Sequence, residues 1–146
     1  MLNDVSKLRE ITGAGVMDCK RALDMSGGNL EKAKQIIQAE GALKAEKKSE
    51  RKTGAGVLES YVHNNRIGVL LELRAETDFV IRSQPFMVLA KDLAMQISAM
   101  NPASVEELLK QPFIKDESMT VEQLLKNTIA KTGENIQVAR FCRYEL

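Results

Sequence analysis

Tryptophan is absent from this chain, aromatic residues make up only 4% of it, and histidine occurs once. Few aromatics leave few platforms on which unpaired nucleic-acid bases stack, and 21 basic against 20 acidic residues, a net charge of +1, give no polyanion-binding field. No direct nucleic-acid partner is expected. The sole histidine, His63, stands beside the turn signal Asn64-Asn65 and reads as a solvated strand-end residue, so nucleophilic or metal chemistry has little to build on. Two cysteines, Cys19 and Cys142, lie too far apart for a metal-ligand spacing, and neither a metal nor a cofactor is expected. The triplets Gly13-Ala14-Gly15 and Gly54-Ala55-Gly56 lack the further glycine, lysine and hydroxyl of a phosphate cradle. No run of about eighteen apolar residues occurs, and Met1-Leu2-Asn3-Asp4 lacks a charged-then-apolar leader, so an intracellular chain with no membrane partner is expected. These shortages argue against an enzyme.

What is present divides into two units. Asn3 or Asp4 can cap a first helix carrying Val5, Leu8 and Ile11, which Thr12-Gly13-Ala14-Gly15 breaks. A second helix carries Met17, Ala22, Leu23 and Cys19 and ends at Gly27-Gly28; Asn29 caps a third, with Leu30, Ala33, Ile36 and Ile37 as its stripe, ending near Gly41. Residues 1–41 thus predict a three-helix module. Residues 42–54, rich in Lys and Glu, read as a charged, solvated connector, and residues 55–146 as an α+β unit. In that unit Val57 to His63 and Arg66 to Glu76 alternate about Asn64-Asn65, a hairpin signal. A helix from Pro85 stops at Asn101-Pro102, and Ser104 with Glu107 and Thr120 with Gln123 fit capping boxes of two further helices. Ile136 to Tyr144 alternates again, with Ile136, Val138, Arg140, Cys142 and Tyr144 on one face and Gln137, Ala139, Phe141 and Arg143 on the other.

Between the second strand and the long helix lies Thr77-Asp78-Phe79-Val80. Large apolar residues on such a connection either fold back onto the core or stand out as a wedge for a partner, and spacing alone does not choose.

Three stretches carry a family resemblance. Lys7-Leu8-Arg9-Glu10-Ile11-Thr12-Gly13-Ala14-Gly15-Val16-Met17-Asp18-Cys19-Lys20-Arg21-Ala22-Leu23 resembles the opening signature of the elongation factor Ts family, and Glu76-Thr77-Asp78-Phe79-Val80 looks like its most characteristic core motif. Lys131-Thr132-Gly133-Glu134-Asn135-Ile136 resembles a third signature, although the arginine pair that commonly follows it appears here as Ala139-Arg140. The resemblance implies a ubiquitin-associated-like helical module followed by a small antiparallel sheet packed with helices. It implies a guanine nucleotide exchange factor acting on elongation factor Tu in translation, without covalent chemistry. Thr77, Asp78, Phe79 and Val80 would meet that partner, with Phe79 entering an apolar slot and Asp78 disturbing the magnesium surroundings. Arg9, Val16 and Met17 of the first module would add contacts, Met17 being equally readable as core. Many members carry two half-repeats and a helical hairpin; this chain, with only a brief connector over 101–120, looks like the short class. A single sheet unit leaves a terminal strand open, so a homodimer is expected, with Phe141, Cys142 and Tyr144 as interface candidates. A Cys142 disulfide is not favoured in a reducing cytosol. The expected location is the cytoplasm, or an organelle's stroma or matrix after loss of a transit peptide. The competing reading, a ubiquitin-associated-like module of a ribosome-associated chaperone, accounts for the first forty residues and leaves the rest unexplained. A small hydrolase would need a nucleophile and base that one histidine does not readily supply.

Overall fold

In the computed structural model, which describes residues 2–146, helices α1 (Leu2–Thr12), α2 (Val16–Met25) and α3 (Leu30–Lys48) lead into strands β1 (Ala55–His63) and β2 (Ile67–Ala75). A single helical turn, α4 (Asp78–Ile81), joins β2 to the long α5 (Gln84–Met100). Then follow α6 (Val105–Lys110), the short strands β3 (Pro112–Phe113) and β4 (Asp116–Thr120), α7 (Val121–Thr132) and β5 (Ile136–Glu145). Met1, with which the expected first module begins, lies outside the described residues. The expected α+β class is the one adopted: a helical bundle, then a three-stranded antiparallel sheet ordered β1-β2-β5 with α5 packed on it.

The bundle closes over Val5, Leu8, Cys19, Ala22, Leu23 and Ala33. Ile11, expected in it, is not there, being 57% exposed, and Met17, readable as core or as partner contact, is 73% exposed. Each helix of the bundle buries only one narrow stripe there. In α2 that stripe runs through Cys19, Ala22 and Leu23, and Met17, two residues before Cys19, falls on the opposite side of a 3.6-residue turn. Asn29 does cap α3, accepting a bond from the Lys32 amide at 3.0 Å. The stop expected near Gly41 is absent, and α3 runs on to Lys48. Gly41 instead marks a close helix crossing, because a Cβ there would stand 3.2 Å from that of Ala130 in α7. Residues 42–48 of the expected connector are therefore helical, and Ala45 belongs to the second core.

That second core sets Leu71, Leu73 and Ala75 of β2 against Phe86, Leu89, Ala90, Leu93, Ala94 and Ile97 of α5, with Leu108, Val121, Ile129, Ile136 and Val138 completing it. Burying each large side chain here contributes roughly 1.5–3 kcal/mol, which is why the sheet unit carries most of the hydrophobic stabilisation. The hairpin loop of residues 64–66 joins the paired His63 and Ile67, with Asn64 and Asn65 both at positive φ (51° and 56°), a backbone that asparagine tolerates. Ser104 accepts from the Glu107 amide, while the Glu107 carboxylate takes the Ala103 N–H, so its expected box is reciprocated one residue early. The Thr120 and Gln123 box is complete.

β5 departs from simple alternation. Val138 pairs with Leu73 and Arg140 with Glu72, so Ala139 is the extra residue of a β-bulge. Beyond it the phase inverts: Phe141 packs against the same core as Ile136 and Val138, and Arg143 donates to the Ser98 carbonyl of α5 at 3.1 and 3.2 Å. Arg140, Cys142 and Tyr144 point to the outer face, so the expected sharing of one face by Ile136, Val138 and those three is corrected. Gln96, fully buried in α5, closes the connector onto the core by donating to the Pro112 carbonyl (3.0 Å) and the Gln111 side chain (3.3 Å) and accepting from the Ile114 amide (2.9 Å).

Candidate functional site

A four-residue helix has no stability of its own, so the corner after β2 must be held from outside. Thr77, extended at φ −130°, caps it: its hydroxyl accepts from the Val80 amide at 3.4 Å. At the far end both the hydroxyl and the amide of Ser83 donate to the Val80 carbonyl, at 2.6 and 2.9 Å. Val80 itself is 9% exposed and lies in the second core. Neighbours on a helix point about 100° apart, so anchoring Val80 inward sends Phe79 outward. Phe79 is 88% exposed, whereas Phe86 and Phe113 are buried and Phe141 is packed against the core. Of the four phenylalanines in the chain, this one alone is not used in packing. Thr77 and Asp78 are exposed beside it. Val80, expected among the residues meeting a partner, packs into the second core and pegs the turn.

A second support reaches the corner from the α7–β5 turn, 57 residues on in sequence. The Glu134 carboxylate accepts from the Thr77 amide at 2.9 Å through Oε1 and from the Thr77 hydroxyl at 2.7 Å through Oε2. In the reverse direction, the Asn135 amide donates to Glu76 Oε1 at 2.8 Å, and that oxygen lies 3.6 Å from Arg51. Asn135, 2% exposed, also donates through Nδ2 to the carbonyls of Ser49 (3.2 Å) and Arg51 (2.8 Å) just past α3. Sequence reasoning assigned none of this. The third signature drew attention to Gly133-Glu134-Asn135, but a contact between distant turns leaves no local periodicity to read.

The other expected partner residues stand on the bundle. Arg9, in the last turn of α1, is exposed, and Val16 and Met17, opening α2, are 49% and 73% exposed. The turn that presents them is closed by Thr12, whose hydroxyl donates to the Leu8 carbonyl at 2.6 Å and accepts from the Ala14 amide at 3.2 Å. Of the interface candidates on β5, Cys142 and Tyr144 lie on the outer face, with Leu58, Val62 and Leu70 also exposed there; Phe141, turned inward by the bulge, does not. Cys19 is buried and Cys142 exposed, both as free thiols.

Among the described residues no cluster of three or more His, Cys, Asp or Glu side chains is arranged to hold a metal ion, and no helix is long and apolar enough to cross a membrane. His63 shares hydrogen bonds with the Tyr61 hydroxyl (2.9 Å) and the Asn64 side-chain Nδ2 (3.3 Å). Asp116, which opens β4, has its carboxyl held below the ordinary range by the Ser118 hydroxyl and amide, with Lys34 adding a smaller pull.

The family model described as "Elongation factor TS" matches residues 29–107 and again residues 76–146, together spanning everything from the α3 cap to the C-terminal residue. "Elongation factor Ts, chloroplastic" of Cyanidioschyzon merolae is 42% identical over 191 aligned positions, covering 97% of this chain and 91% of that protein. "Elongation factor Ts" of Thermotoga petrophila is 40% identical over 186 positions, covering 97% and 94%, and that of Oleidesulfovibrio alaskensis 40% over 188, covering 97% and 95%. These alignments are longer than the 146 residues present, so the relatives carry segments that this chain does without. Matches of this length and identity show that the chain belongs to the elongation factor Ts family of translation elongation factors.

Proposed function

We propose that the chain is a guanine nucleotide exchange factor that binds elongation factor Tu carrying GDP and promotes GDP release, with no covalent bond made or broken. Such a factor must bind the empty GTPase better than the loaded one, for only differential affinity shifts the equilibrium, and linkage then makes the antagonism mutual. GDP on a GTPase is held largely through its phosphates and a magnesium ion, so moving the groups that order that ion loosens the nucleotide without covering it.

In this reading the Phe79 ring enters an apolar slot of the GTPase and Asp78 disturbs the ion's surroundings, while Arg9, Val16 and Met17 add anchoring contacts. The observation that carries it is the 88% exposure of Phe79 on a turn pegged by a buried Val80. A large ring held outward on a fixed turn meets a partner without first having to be ordered, which is how interface hot spots arise. The chaperone-module alternative engages only α1–α3 and gives this corner no task.

The test is release of fluorescent GDP from elongation factor Tu. Phe79→Ala slows release at least about tenfold while the factor's own melting temperature holds, whereas Val80→Ala lowers stability by about 1–3 kcal/mol. Unchanged exchange with a large loss of stability in Phe79→Ala overturns the reading. The same reading places the protein where bacterial-type translation runs, in bacterial cytoplasm or an organelle's stroma or matrix. It gives the protein a second copy of itself as a further partner, through the outer sheet face.

A further inference from the structure

Resting on the exchange reading above, we propose that Glu134 is a positioning residue for the Phe79 corner: its carboxylate fixes the direction in which the ring is presented. The Thr77 cap is weak alone, since its hydroxyl reaches the Val80 amide only at 3.4 Å, and four helical residues cannot hold a shape unaided. What fixes Thr77 is one carboxylate using both oxygens, at 2.9 and 2.7 Å, on its amide and its hydroxyl. Two charge-assisted bonds to one residue constrain orientation as well as position.

The carboxylate is itself mounted rigidly. Gly133 ends α7 in the left-handed conformation (φ 76°), and Asn135, on Glu134's other side, is buried and tied by three donated bonds to Glu76, Ser49 and Arg51. The two turns grip each other reciprocally: Thr77 donates to Glu134, and Asn135 donates to Glu76.

A purely stabilising role fits less well. Ala75, Val80 and Ile136 already pack beneath the corner, and the Thr77 and Glu134 bonds lie at the surface, where a hydrogen bond adds little to folding. Removing the carboxylate leaves the core in place and lets the turn above it sample directions. Binding must then order it, and the cost falls on the encounter with the GTPase.

The experiment measures GDP release from elongation factor Tu over a titration of factor, for Glu134→Ala, Glu134→Gln, Phe79→Ala and the double variant Glu134→Ala with Phe79→Ala. Hydrogen exchange at the Phe79 to Ile81 amides is followed in the free proteins. Glu134→Ala lowers exchange efficiency by about tenfold, mainly through the concentration of factor needed, and Glu134→Gln, which keeps one acceptor oxygen, restores it to within about threefold. In the Phe79→Ala background Glu134→Ala adds no further loss, because the two act as one unit. The Phe79 to Ile81 amides exchange faster in Glu134→Ala while its melting temperature stays near that of the parent. Additive losses, unaltered exchange efficiency in Glu134→Ala, or unaltered amide protection overturn the proposal. Should Phe79→Ala alone leave GDP release intact, the exchange reading fails, and the amide protection still decides whether Glu134 positions the corner.

Discussion

A methyl group on Gly41 of α3 would stand 3.2 Å from the Cβ of Ala130 in α7, so these helices cross with almost nothing between their backbones. The crossing is where the bundle and the sheet unit meet. Gly41→Val forces a branched side chain into the contact and costs about 1–3 kcal/mol by overpacking, read as a fall in melting temperature. In an Ala130→Gly background the space is restored, and Gly41→Ala then gains up to about 1 kcal/mol of helix propensity. Equal effects of Gly41→Val in both backgrounds would show that the crossing does not govern the cost.

Gly41 also shows where the sequence misleads. A glycine after an apolar stripe reads as a helix end, and only the position of α7 reveals it as a packing device. Ala45 is similar: a small residue in a run of lysines and glutamates gives no sign of burial, yet it lies in the second core. By contrast, the caps at Asn29 and Thr120, the Asn64-Asn65 turn and the stripe of α5 are local signals and stand where they read. The Thr77 corner was legible as a break between periods two and 3.6. The division of labour between Val80 and Phe79 was not, because a single turn offers no periodicity to phase.

The bulge at Ala139 makes a sharper case. Counting alternation through it sends Phe141 and Arg143 outward, but Val138 and Arg140 pair with the consecutive residues Leu73 and Glu72. Deleting Ala139 therefore removes the irregularity and leaves both Phe141 and Arg143 facing α5. The shortened protein is expected to remain folded, its melting temperature within a few degrees of the parent, about 1 kcal/mol of stability or less. Loss of cooperative unfolding in that variant would mean that the strand slips when the bulge is lost.

Gln96 holds the short connector over residues 101–120 onto the core. It is completely buried and satisfies the Pro112 carbonyl and the Ile114 amide through its two polar atoms. Gln96→Leu keeps the bulk and strands both partners, at about 1–3 kcal/mol for each group left without a bond. A marked fall in melting temperature and faster proteolytic cleavage within residues 101–120 are expected. A neutral substitution would show that water replaces the amide without penalty.

The outer face of the sheet bears on self-association. An antiparallel sheet packed on one side presents polar residues on the other, yet here Leu58 (64% exposed), Val62 (62%), Leu70 (44%) and Tyr144 (77%) share it with Cys142. A two-fold partner covers such a face by bringing the same residues opposite themselves, and the contact is then apolar packing in which no covalent bond is needed. The dimer proposed above is accordingly expected to persist in reductant and in Cys142→Ser, and to dissociate when Leu70→Asp places a charge at its centre. Sedimentation equilibrium at micromolar concentration reads all three. Because Phe141 faces inward, Phe141→Ala should lower stability before it affects association; a monomer in the parent protein, or a dimer lost on reduction alone, removes the sheet face from the account.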